Sequence, residues 1–121
     1  IIKYLKYKED IQYCDFRGNA KNGNGYNTIL EHITLVPFEV KLDFPDNTNA
    51  YLANLASMGI LFDMDGTYRI DQTTYNKIKE QYNFEQYKSQ LVPNIFKDFV
   101  TNNSYYKITD FGKLFIKACI K

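Results

Sequence analysis

The sequence predicts an α+β fold in a single domain of residues 1–121, with a winged-helix-like C-terminal half over about residues 46–121. Three observations predict it. Tyr51, Leu52, Leu55 and Met58 recur at three- and four-residue spacing and run into Gly59, a helix face followed by a C-cap glycine. Ile60-Leu61-Phe62 then reads as a strand, and Asp65-Gly66 is a hairpin turn signal. Tyr105-Tyr106-Lys107-Ile108 is a later strand feeding a last helix that Thr109 can cap.

Taken in order, apolar residues at 1, 2, 4, 5, 7 and 11 predict a helical start over Ile1–Ile11. Arg17–Asn27 holds three Gly and four Asn and reads as a surface loop. Ile29–Phe44 is rich in β-branched and aromatic residues and reads as extended up to Pro45. Asp46, Asn47 and Thr48 offer caps for the helix ending at Met58. After the Asp65-Gly66 turn, Thr67–Ile70 is the expected return strand. Asp71 or Thr73 can cap a helix bearing Tyr75, Ile78, Tyr82 and Tyr87, and Val92–Val100 reads as a second helical piece with Pro93 in its first turn. Asn102-Asn103-Ser104 is the expected break. In the final helix Phe111, Leu114, Phe115, Ala118 and Cys119 are expected to face inward. A wing carrying a helical insertion between its strands accounts for this order.

Composition narrows the function classes. Fifteen Lys and Arg stand against 14 Asp and Glu, a net charge of +1, so no strong global field draws in nucleic acid or an anionic membrane. With 45% apolar residues, 9 Phe and 11 Tyr, the chain can bury a core. The apolar run Ile33–Phe38 is far too short to span a bilayer. Cys14 and Cys119 form no C-x-x-C pair, a usage that suits the cytoplasm. The sequence starts at Ile1, which is read as a C-terminal fragment of a longer protein.

One motif suggests catalysis. Phe62-Asp63-Met64-Asp65-Gly66-Thr67 matches the signature of haloacid-dehalogenase-like phosphatases, in which Asp63 would be the nucleophile and Asp65 the general acid/base, both beside Mg²⁺. That fold is a doubly wound parallel sheet needing about 30 residues per β-α-β unit, and 55 residues follow Gly66. The simpler reading makes Asp63 and Asp65 hairpin residues. The single His32 has no partners at metal-ligand spacing and is expected to be a partly buried or surface histidine. No cofactor is implied. Lys113, Lys117 and Lys121 share one face of the last helix, with Lys107 just before it. They are either a phosphate footprint or a solvated face, and the near-neutral whole favours the second.

Asn54-Leu55-Ala56-Ser57-Met58-Gly59-Ile60-Leu61 and Thr109-Asp110-Phe111-Gly112-Lys113-Leu114-Phe115-Ile116-Lys117-Ala118-Cys119-Ile120 together resemble the bacterial abortive infection alpha family over roughly residues 48–121. The resemblance implies a role in phage resistance and no catalytic residue. The motif residues Asn54, Leu55, Gly59, Thr109, Gly112, Phe115, Ala118 and Cys119 have structural readings: Thr109 as a cap, Gly112 as a place of close backbone approach, and Cys119 as a small buried hydrophobe. The expectation is a non-enzymatic interaction or sensing domain. An unknown protein partner or a second copy would meet Tyr105 and Tyr106 or the Tyr82–Tyr87 region. A winged-helix DNA-binding module is the alternative, and the phosphatase a remote one.

Overall fold

A computed structural model describes residues 2–119. After helix α1 (Ile2–Leu5) the chain forms strands β1 (Asp10–Asn19) and β2 (Tyr26–Ile33), then helices α2 (Val36–Glu39) and α3 (Thr48–Ser57). Strand β3 (Leu61–Asp63), helices α4 (Thr73–Gln81) and α5 (Phe84–Leu91), strand β4 (Asp98–Ile108) and helix α6 (Asp110–Cys119) follow. The fold is α+β.

The four strands form one antiparallel sheet in the order β2-β1-β4-β3. Its spine is the ten-residue ladder from Asp10 opposite Lys107 to Asn19 opposite Asp98. Neighbouring residues of a strand point to opposite faces, and β1 supplies both. Ile11 and Tyr13 join Leu5, Val36, Leu52, Leu55, Ile60, Leu61, Tyr106, Ile108 and Ile116 beneath α1, α3 and α6. Cys14 and Phe16 join Ile33, Tyr75, Ile78, Phe84, Phe96 and Phe99 beneath α4 and α5.

Several expectations are corrected. The helix expected over Ile1–Ile11 stops at Leu5, whose carbonyl accepts from Lys8 N–H at 3.0 Å, and β1 takes over from Asp10. The helix-like spacing mixed the end of one element with the start of another. The glycine-rich loop shrinks to a hairpin tip, where Ala20 N–H donates to Gly25 O at 3.0 Å and Gly23 and Gly25 take φ of +76° and +87°. The extended stretch expected to Phe44 stops at Ile33. Residues 92–100 are not a helix: β4 begins at Asp98 and pairs with β1 along its length, overriding the local signal. Asn102–Ser104, expected as a break, lie inside β4, with Asn103 bonded to Cys14 and Gln72. Thr67–Ile70 is not a strand; Thr67 N–H closes a turn on Met64 O at 2.9 Å, and β3 pairs with β4 instead. The two strands expected as a wing are therefore part of a larger sheet, with β4 held by β1 on its other edge.

Candidate functional site

The two motif segments meet. Asn54 O and Leu55 O accept from Met58 N–H and Ile60 N–H at 3.0 Å, closing α3, and Gly59 takes the left-handed φ of +81° that ends it. The hydroxyl of Thr109 donates to Gly59 O at 2.6 Å, and its Oγ1 accepts from Gly112 N–H at 2.8 Å. Thr109 N–H reaches Ile60 O at 3.0 Å. Gly112 packs so closely that a Cβ there would lie 2.3 Å from Ile60 O. The end of α3 and the start of α6 thus interlock through backbone groups.

That contact decides which way α6 faces. Its buried residues are Gly112 and Ile116, and Phe115 is half-buried. Phe111 is 57% exposed and Leu114 69%, and Ala118 and Cys119 are also exposed. The inward stripe expected of Phe111, Leu114, Ala118 and Cys119 is corrected accordingly, because backbone contact at Gly112 turns the bulky residues outward. Met58, beside Gly59, is exposed as well, and a Cβ at Gly59 would lie 3.9 Å from the Phe111 ring. This end of the molecule carries an apolar surface. Tyr105 and Tyr106, expected to be surface contacts, are buried, and Tyr82 and Tyr87 pack against the α4–α5 cluster, with Tyr82 hydroxyl donating to Thr34 O at 2.8 Å.

The lysines weighed as a phosphate footprint differ in their surroundings. Lys113 Nζ pairs with Glu9 at 2.9 Å, while Lys107 and Lys117 are exposed and Lys121 lies outside the described residues. The aspartates of the phosphatase-like motif sit where an edge strand meets a turn in an antiparallel sheet, not on the parallel sheet that chemistry uses. Asp63 is already engaged. One carboxylate oxygen accepts from Tyr13 hydroxyl at 2.5 Å, and the other faces His32 Nε2 at 3.1 Å.

That pair opens onto a polar cluster the sequence reading missed. His32 takes a left-handed φ of +49°, its N–H donates to Asp15 Oδ1 at 2.7 Å, and its Nδ1 lies 3.2 Å from the same oxygen. The Nδ1 approach is an ion-pair contact without hydrogen-bond alignment. The imidazole stacks on the Tyr13 ring at 4.1 Å. Asp15 raises the His32 pKa most; Asp63 adds to it, and together they exceed the opposing effect of burial, so it is pushed up to about 9. Burial works to raise the Asp15 carboxyl, but the His32 imidazole and backbone N–H beside it, with Arg17 at 3.4 Å, outweigh it and hold the carboxyl below its usual range. Burial pushes the Tyr13 hydroxyl up, as does its bond to Asp63. Each ring nitrogen of His32 thus faces a carboxylate, a clasp that favours the imidazolium form. Among the described residues no group of three or more His, Cys, Asp or Glu is arranged to hold a metal ion. Burial pushes the Cys14 thiol up to about 12; Cys119 is exposed, a correction to its expected burial, and both thiols are free.

The model of the family described as Abortive infection alpha matches residues 1–119, nearly the whole chain and more than the 48–121 stretch of the motif resemblance. No curated protein matches. The fold is similar to a solved structure of an uncharacterized protein from the hydrocarbon-degrading marine bacterium Alcanivorax borkumensis SK2. The two are 13% identical with a TM-score of 0.52, covering 99% of this chain and 82% of that one. No helix of the described residues is long and apolar enough to cross a membrane.

Proposed function

The chain belongs to the abortive infection alpha family, and from that premise we propose that it is a non-enzymatic interaction or sensing module of cytoplasmic phage defence. The observation that carries the reading is the apolar arc on α6: Phe111 and Leu114 face solvent while Gly112 and Ile116 hold the helix to the core. Large apolar side chains grouped on a surface are a feature of interaction sites. The polar cluster supports the same reading, because its imidazole is engaged by two carboxylates. In this reading the α3–Gly59–β3 corner and the Thr109-capped α6 serve to present the exposed face of α6.

The test is a plaque assay on a host expressing the full-length gene, with survival of infected cells scored alongside. Wild type is expected to reduce plaques and kill infected cells. A folded Phe111→Glu/Leu114→Glu variant is expected to lose both effects. Protection equal to wild type from that variant overturns the reading.

A further inference from the structure

At about 100° per residue, Phe111, Leu114 and Ala118 fall within an arc of about 60° on α6. Their three- and four-residue steps are those of the seam between two paired helices. Asp110 and Lys117 lie together on one flank of that arc, near opposite ends of the helix. Lys117 has no carboxylate partner among the described residues, whereas Lys113, farther round the helix, is tied to Glu9. If a second α6 lies antiparallel across the arc, Leu114 meets Leu114 near the two-fold axis. Asp110 of each copy then comes beside Lys117 of the other. The same arrangement sets the two helix dipoles antiparallel. The pattern is complementary to itself, which is what an isologous contact requires.

We propose that the exposed apolar arc of α6 docks a second copy of this chain, the two α6 helices antiparallel and joined by reciprocal Asp110–Lys117 ion pairs. This rests on the reading of that arc as an interaction surface and names its occupant. A seam of three apolar residues per copy is small, so the dimer is expected to be reversible, with a Kd on the order of 10 μM.

Sedimentation equilibrium of the full chain at low salt, from about 1 to 500 μM, tests it. Wild type is expected to fit a monomer–dimer equilibrium. Asp110→Lys and Lys117→Asp are each expected to weaken it at least about tenfold, since each sets like charges together. An equimolar mixture of the two variants is expected to recover association to within about threefold of wild type, because every ion pair is restored between unlike chains. Circular dichroism checks that both variants fold. Should Asp110→Lys lose helix, Leu114→Glu replaces it as the disruptive variant, and loss of dimer by it counts as support. A chain monomeric at 500 μM, a dimer indifferent to these changes, or no recovery on mixing overturns the proposal. The two readings fail separately. A monomer whose Phe111→Glu/Leu114→Glu variant loses phage protection removes the second copy and leaves the interaction surface. A dimer as described, with full protection from that variant, removes the functional reading and leaves the dimer.

Discussion

The two faces of the sheet are covered by different means. On one, α4 and α5 dock through aromatic rings: Phe16 meets Phe84 edge-on at 5.1 Å and Phe99 at 6.0 Å, and Phe84 stacks on Phe99 at 5.1 Å. On the other, α6 docks through Gly112 and one fully buried side chain, Ile116, with Thr109 and the carbonyls of Gly59 and Ile60 as its fastenings. Ring packing uses up apolar side chains to hold helices in place. Backbone packing does not, so α6 keeps Phe111 and Leu114 for the surface. A helix can be firmly seated and still expose its largest residues.

Substitutions on the two faces should break this contrast in a definite order, read from urea midpoints at constant slope. Phe16→Ala removes the ring at the centre of the α4–α5 side and is expected to cost about 4 kcal/mol. Gly112→Ala should cost about 3 kcal/mol although it adds a single methyl, because the obstacle is the Ile60 backbone and cannot swing aside. Gly23→Ala is its control: open space surrounds that position, and only the positive φ is penalised, by about 1 kcal/mol. Equal effects from the two glycines would refute docking by close approach. Thr109→Ala should follow at about 1 kcal/mol through loss of its cap. Leu114→Ser is expected to stay within about 0.5 kcal/mol of wild type, since its side chain is already in water.

The clasp sharpens the contrast through pH. The folded-state pKa of His32, about 9, exceeds its ordinary 6.5. Its contribution is therefore complete below pH 6.5 and lost as pH rises from 6.5 to about 9. His32→Asn should remove on the order of 2 kcal/mol at pH 6 and little at pH 9.5, measured as unfolding midpoints at both values. A constant difference across that range would mean the imidazole is not held as a cation.

Local chemistry made the α3–Gly59–β3 corner legible through helical spacing and a C-cap glycine, although Asn47 at the helix start makes no side-chain cap bond. The orientation of α6 was half legible. Apolar residues cover most of its circumference, so periodicity alone admits more than one inward face. The informative residue is Gly112, which costs a helix interior about 1 kcal/mol relative to Ala and makes sense where another backbone presses close. The β1–β2 hairpin was obscured because the helical spacing of residues 1–11 ran across the end of α1. The polar cluster left no local trace. Asp15, His32 and Asp63 come from three strands, and only the pairing of β1 with β4, which joins residues some ninety apart in sequence, brings them together.

In a flat four-stranded sheet the outer strands lie about 14 Å apart, too far for a histidine on one to touch an aspartate on the other. Yet His32 of β2 meets Asp63 of β3, and these strands share no backbone hydrogen bond. The bond therefore acts as a chord across an arc, fixing the curvature of the sheet from rim to rim. Straightening the sheet must break it, so neither rim can peel away independently. Amide protons of β2 and β3 should accordingly exchange with solvent in a common opening event, and should separate into two events once His32 is replaced.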